Sequence, residues 1–436
     1  MKKKVLLLII LLFNFFISAQ KKELSFPIYD DSFEYFTMKQ ADDLFMSIYE
    51  LGTDLFVNNY SMDLDFKSST LGEKISYGFK LFSLMTIDSF LVIPITHEEA
   101  HRAILTFNNI GSISQPIFKF KSFTVGIAYV KGVSDISLKS LRDNDFPSFI
   151  RLHTAGNESD YCIIQKDFSR IIFNHLYNAE FTQIHPIYLD LLLRNISMIS
   201  YETSALSTGL SMKEESNELE RDIVGDDICG MIHHLFNPTA EYHRYFSSED
   251  FSIDEKKFAK RIALRTIVNF SSILPMLMKK PMIIFNDDIG LSFNIGYCLS
   301  PFGDFFDERF LIQVNSIKIQ EPLDLVFIAR QYQNKEKWFP EFIIQCERFS
   351  PFEWLTLSGS LDLWWQPQNL SFTTKESFIG GSIKLGCIFY PFKTVPDANY
   401  DFGINLGALY KTEGFMPEVM SLDEDFVFSI GIIIRY

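Results

Sequence analysis

The stretch Thr96-His97-Glu98-Glu99-Ala100-His101-Arg102 contains an H-E-x-x-H spacing. On a helix, positions four apart share one face, so His97 and His101 can present two imidazoles to one metal ion. Glu98 stands beside them, where a carboxylate can take a proton from a water that the metal activates. The run from Phe79 to Ile95 is mostly apolar and would bury a helix carrying the pair. Pro94 falls just before the motif, where a helix can start or restart because the missing N–H costs nothing. The bland alternative is a helix whose two histidines cap an apolar face and bind nothing. With 8 His in 436 residues, an accidental match is improbable.

A catalytic zinc takes three protein ligands and leaves one position for water. The third ligand would be His, Glu or Asp on a neighbouring element, and Glu158 is the candidate. It follows Ala155-Gly156, where a glycine allows close backbone approach. With these features the sequence resembles the gluzincin metallopeptidases, which carry H-E-x-x-H on one helix and a glutamate ligand on a later one. The resemblance implies His97, His101 and Glu158 as metal ligands, Glu98 as general base, Zn2+ as cofactor, and a peptide or protein substrate.

The chain departs from that class in its details. The class often shows E-x-x-x-D or N-E-x-x-S-D around the third ligand. Here the residues are Asn157-Glu158-Ser159-Asp160, so Asp160 is a competing ligand or a partner to a ligand histidine. No histidine stands at the metzincin spacing, since none follows His101 until His153. Asp222, Asp226 and Asp227 are weaker candidates, because a helix N-terminus attracts acids without any metal. His153 and Tyr161 are candidates for stabilising an oxyanion, while His233, His234 and His243 read as structural or exposed. Other ions that favour imidazole and carboxylate would also suit the ligand set.

The elements that must position these groups read as helices. Apolar residues Ala41, Leu44, Phe45, Ile48, Tyr49, Leu51 and Leu55 recur at helical spacing after residue 39. Glu73 to Phe107 reads as one long or broken helical segment ending in the motif. Asp88 interrupts its apolar run and argues against a transmembrane span. Gly111 to Gly132 alternates as β-structure. Helices are expected from Glu158 to Tyr177 with Gly156-Asn157 as a turn and start, from Ile187 to Ala205, from Asp222 to Phe236, and from Lys256 to Met278.

Past residue 288 the period changes from helical to two. Eight runs of roughly ten residues follow, near 290–300, 308–320, 323–333, 340–349, 354–366, 378–390, 400–411 and 425–436. Loops of alternating length join them, as in outer-membrane barrels. The last run ends on Tyr436, which resembles the C-terminal signature of bacterial outer-membrane proteins. A soluble sandwich or barrel alternates similarly.

Composition narrows the function classes. Lys2, Lys3 and Lys4, the apolar run Val5 to Ile17 and the small pair Ser18-Ala19 read as a secretory signal at 1–19. Net charge is −15 with a pI near 5.1, which disfavours nucleic acid as a partner. Five scattered cysteines give neither a disulfide framework nor a zinc finger. Aromatics reach 15% with 45 Phe, an enrichment that leans towards a membrane surface. The expected architecture is therefore α+β: a mainly helical, zincin-like unit over 20–285, then an eight-stranded antiparallel barrel over 286–436 in the outer membrane. The expected function is a zinc peptidase of the cell envelope with its catalytic unit on the periplasmic side. The rival is a non-enzymatic outer-membrane channel or adhesion module whose helices form a plug or a partner-binding piece. A third reading, an intramembrane protease, is disfavoured by Asp88 and by the shortness of the apolar run.

Overall fold

The computed structural model describes residues 23–31, 36–57, 70–115, 118–119, 124–125, 129–175, 186–206, 214–274, 282–286, 288–315, 322–392 and 401–435. The signal-like segment and Tyr436 lie outside them. The fold is α+β, with helices packed on one face of a large antiparallel sheet.

Strand β1 (Glu23–Asp30) leads into α1 (Met38–Val57). Helix α2 (Leu71–Ile87) opens on a capping box, in which Thr70 and Glu73 satisfy each other's exposed backbone donors. A π-helical turn, Asp88–Val92, separates α2 from α3 (Ile93–Phe107), which has Pro94 in its first turn. The expected long segment is thus broken at Asp88, and its second half carries the histidine pair. Four short strands follow, β2 (Ile113–Gln115), β3 (Phe118–Lys119), β4 (Thr124–Val125) and β5 (Tyr129–Lys131), paired as β2 with β5 and β3 with β4.

Next come α4 (Asp135–Asn144), α5 (Phe146–His175), α6 (Pro186–Ser204), α7 (Asp227–Phe236) and α8 (Ile253–Arg265). Helix α5 starts earlier than the sequence suggests. Asp145 accepts from the Ser148 N–H at 3.2 Å, so the helix begins there and Gly156 lies in its interior. Helix α8 gives way to a 3-10 stretch at Thr266–Ser272, so the basic helix expected to Met278 is shorter. Helices α3, α5 and α7 share one apolar core that includes Ala100, Ile104, Leu105, Ile150, Leu152, Ala155, Ile228, Met231 and Ile232.

The remaining strands are β6 (Ile283–Asn286), β7 (Ile289–Ser300), β8 (Gly303–Val314), β9 (Leu323–Gln333), β10 (Trp338–Phe352), β11 (Leu355–Pro367), β12 (Ser377–Phe392), β13 (Asp401–Lys411) and β14 (Asp425–Arg435). Strands β7 to β14 overlap the eight expected runs, with β8 starting at Gly303 rather than near 308. The sheet, however, has ten strands in the order β1-β14-β13-β12-β11-β10-β9-β8-β7-β6. The unit expected to be mainly helical from residue 20 opens instead on β1, held to β14 by a ladder and by Arg435 Nε donating to Glu23 Oε1 at 2.7 Å. Among the described residues β1 and β6 do not pair with each other, so the sheet is open rather than the expected closed eight-stranded barrel.

The two faces of this sheet differ in character. Register places Phe293, Phe310, Phe327, Ile344, Leu361, Ile383, Tyr410 and Phe426 side by side in one row across eight strands. All eight are exposed on the face away from the helices. The opposite face buries charge: Asp307, Arg330 and Glu341 are register partners, and Arg330 Nε donates to Asp307 Oδ1 at 2.6 Å. Helix α5 packs on that inner face through β7 and β8, where Tyr161 donates to Asp307.

Candidate metal centre

The motif on α3 faces α5 and α7. His97 and His101 sit one turn apart with ring centroids 5.1 Å from each other, and both are buried. His101 Nδ1 lies 2.6 Å from the Leu152 carbonyl oxygen of α5. A carbonyl only accepts, so the Nδ1 proton points there and the Nε2 lone pair is left on the other side. His97 Nδ1 is 2.9 Å from Asp160 Oδ2, and Arg194 of α6 donates to the other oxygen of Asp160 at 2.6 Å. That arrangement fixes the His97 ring in the same sense.

Both Nε2 atoms converge on one oxygen. Asp227 Oδ2 is 3.3 Å from His97 Nε2 and 3.1 Å from His101 Nε2. The three ligand atoms lie within 4.8 Å of one another, and all three residues are buried. With the Nδ1 protons committed elsewhere, two imidazole lone pairs and a carboxylate oxygen face each other, and such a set requires a cation or protons between its members. The group could therefore hold a metal ion. Without an ion, protons on the imidazoles balance the group. Burial opposes protonation of His97, yet Asp160 and Asp227 raise its pKa well above the usual histidine value. His101 is likewise raised by Asp227 against burial. Burial opposes ionisation of Asp227, but His101 and His97 hold its carboxyl below the ordinary range.

Of the three ligands that the resemblance implies, the structure brings His97 and His101 together, and Asp227 rather than Glu158 stands beside them. Glu158 is not at the cluster. Arg151 donates to it twice, at 3.0 and 2.6 Å, and the Glu418 N–H donates at 2.8 Å. At about 100° per residue, Glu158 is turned well away from the helix face that carries Gly156 and Asp160. Asp227 takes the third place. Asp226 does what helix-terminal acids ordinarily do, accepting from the Cys229 N–H at 2.8 Å as the N-cap of α7. Gly225 ahead of it adopts φ +68°, a left-handed turn that suits glycine. Asp227, one residue past the cap, reaches the histidines instead of the helix end.

Asp160 is a partner of His97, one of the two roles the sequence allows. Gly156 does permit a close approach, although of the His97 ring rather than of backbone near Glu158: a methyl there would lie 2.2 Å from His97 Nε2. Tyr161 is on the far face of α5, bonded to Asp307, and takes no part. His153 is buried beside Phe149 and His234, with centroids 5.1 and 5.6 Å away, and burial pushes it down to about 4, so it is neutral at pH 7. His234 is buried and His233 stacks on Phe246, in keeping with structural roles.

Glu98 is half-buried next to the pair. Burial pushes its carboxyl up to about 8 against the pull of His101 and His97, with Asp222 and Asp227 adding to the rise. Asp222 is itself raised to about 7, by burial and by Asp227. Tyr201 of α6 escapes sequence reasoning altogether. Its hydroxyl donates to Asp227 Oδ2 at 3.0 Å, and its ring meets His97 edge-on at 5.2 Å. No spacing signal marks it. No protein-family model and no curated protein matches this chain.

Proposed function

We propose that this chain is a zinc-dependent peptidase of the bacterial cell envelope, held in the outer membrane by its sheet. The observation that carries the enzymatic reading is the convergence of His97 Nε2, His101 Nε2 and Asp227 Oδ2, with each Nδ1 tied to a partner on α5. Two imidazoles and one carboxylate are a zinc-type ligand set that leaves a position for water. When bound, the ion would polarise a peptide carbonyl and lower the pKa of water. Glu98 would take the proton from a water held there and pass it to the leaving amine; burial raises its carboxyl to about 8, and a cation beside it would return it to the ionised form that a base needs. Asp160 and the Leu152 carbonyl orient the two imidazoles, and Tyr201 orients Asp227.

The membrane reading rests on the two faces of the sheet. A row of exposed aromatic and aliphatic side chains on one face, with buried ion pairs on the other, is the pattern of strands that turn towards lipid. In this reading the strands meet the bilayer and the helices line the inner face, with the histidine cluster reached from the periplasm. The rival, a non-enzymatic outer-membrane channel or adhesion module, shares the sheet and differs at the cluster. Elemental analysis of the purified protein with a peptide-hydrolysis assay separates the two. We expect about one zinc per chain, loss of metal and activity in His97→Ala, and retained metal with hydrolysis reduced at least about 100-fold in Glu98→Gln. A wild-type protein free of metal and inert towards peptides would leave the rival standing.

A further inference from the structure

The sheet is open among the described residues, yet neither edge is bare. On β1, the Ser25 N–H donates to Ser47 Oγ of α1 at 3.1 Å, and that hydroxyl donates to the Ser25 carbonyl at 2.7 Å. On β7, past its short pairing with β6, the same device recurs. The Ile295 N–H donates to Ser271 Oγ at 2.9 Å, and the hydroxyl donates to the Ile295 carbonyl at 2.6 Å. Ser271 belongs to the 3-10 stretch Thr266–Ser272. Helix α6 joins the two sides: its Arg194 Nη2 donates to Met46 Sδ of α1 at 3.6 Å, and its Asn195 Nδ2 donates to Ser272 Oγ at 3.1 Å. Helices α1 and α6 and the 3-10 stretch thus bridge the gap that the strands leave, and they satisfy edge groups that would otherwise seek another strand.

Helix α2 rests on this bridge through Leu81 and Leu84, which pack with Leu189 and Leu193 of α6. Its other side is apolar and uncovered: Leu71, Ile75, Phe79 and Phe82 recur at helical spacing and are between 64% and 75% exposed. An 18-residue window within Leu71–Phe107 has a mean hydropathy of 1.5, but only 22% of it is buried. A helix apolar all round in a water-soluble protein belongs in the core. The polar groups of α2 also suit an apolar surrounding. Ser83 Oγ donates to the Phe79 carbonyl at 2.9 Å and Thr86 Oγ1 to the Phe82 carbonyl at 2.8 Å, so both hydroxyls are satisfied within the helix. Asp88 is fully buried, so the objection it raises to a lipid-facing helix does not reach the outer side. Lys80 is the other charged residue between Lys74 and His97, and its long stem can carry the ammonium to a headgroup layer. On the bridge itself Ile48, Ile196, Ile267 and Phe270 are exposed as well.

We propose that α2 and the bridge meet the acyl chains of the bilayer, so that one apolar belt runs from the outer row of the sheet across the gap between its edges. The inference rests on the membrane reading of the sheet and extends it to the helices. Lipid is favoured over a protein partner because the exposed apolar side continues that of the sheet and offers no unsatisfied hydroxyl, as a medium without hydrogen-bonding partners demands.

The test is electron paramagnetic resonance of spin-labelled full-length protein in phosphatidylcholine–phosphatidylglycerol vesicles. Single labels are placed at Phe82→Cys, at Leu361→Cys on the sheet and at Lys257→Cys, a side chain exposed on α8, after Cys346→Ser and Cys387→Ser remove the two cysteines that are not buried. At position 82 collision with oxygen is expected to exceed collision with a water-soluble nickel chelate, and the nickel signal seen at position 257 to be lost. Phe79→Cys, on the same side of α2, gives an independent reading should the first variant fail to fold. Nickel access at position 82 would overturn the inference. With lipid still read at position 361 the sheet reading survives that result, and with water at both positions it falls too. Low collision with both reagents at position 82 would mark a protein partner and equally overturn the inference, as would lipid at position 82 with water at position 361, which breaks the belt.

Discussion

The helical half and the sheet half both bury charge, but to opposite ends. In the helices an ordinary apolar core surrounds a compact polar centre, where Asp160, Arg194 and Asp227 hold two histidines in a single arrangement. In the sheet the apolar residues point outward and the ion pairs, such as Asp307 with Arg330, face inward. The contrast teaches that a buried charge has no fixed meaning. Matched donor to acceptor it braces a fold, whereas several acceptors aimed at one point prepare a site for a cation.

The largest effect that can break this comparison is at the seam between the halves. Arg151 forks onto Glu158 and also donates to the Val419 and Met420 carbonyls of the β13–β14 loop, at 2.7 and 2.9 Å. Arg151→Ala leaves a buried carboxylate alone and is expected to cost about 3–5 kcal/mol in chemical denaturation while sparing metal binding. Loss of the metal instead would return Glu158 to the centre.

Next comes the outward face. Leu361 is 58% exposed in the middle of its strand row. Leu361→Arg is expected to destabilise the protein folded in lipid vesicles by about 2–4 kcal/mol. A neutral result would mean that this face meets water.

A smaller change probes the bracing of the histidines. Asp160→Asn keeps the shape and removes the charge that orients His97, so competition with a chelator should read metal affinity about 10–100-fold lower. An unchanged affinity would make the Asp160 contact incidental.

The smallest effect concerns Glu202 of α6, fully buried with Thr266 as its hydrogen-bonding neighbour and the like charges of Asp304 and Asp160 acting on it, in contrast to the matched acids of the sheet. Burial first, and then Asp304 and Asp160, raise its pKa to about 8. Because the folded pKa lies above the unfolded one, ionisation opposes folding. The penalty is absent below about 4.5 and grows as pH rises to 8. Glu202→Gln should therefore be indistinguishable from wild type at pH 4 and at least about 1 kcal/mol more stable at pH 8, as read from thermal melts. Parallel pH profiles would refute the assignment.

Much of this architecture is written in local pattern. The pair on α3 is visible because a four-residue spacing needs only one helix, and β7 to β14 are visible because alternation of period two repeats in each strand. Long-range features are not local. Asp227 stands 130 residues from His97, and its reach depends on a left-handed turn at Gly225 and a cap at Asp226. Those neighbours supply an ordinary helix-start explanation that hides its role. Glu158 misleads in the converse way: its neighbours suit a ligand, but its helix phase turns it towards Arg151. The pairing of β1 with β14 escapes for a similar reason, since only the folded sheet brings the first described strand beside the last.

If the histidine pair holds a metal, Asp227 and not Glu158 completes its ligand set. Elemental analysis of three purified proteins tests it most directly. About one zinc per chain is expected in the wild type, the same in Glu158→Gln, and almost none in Asp227→Ala. A protein that keeps its metal without Asp227 and loses it without Glu158 would mean that Glu158 is the ligand.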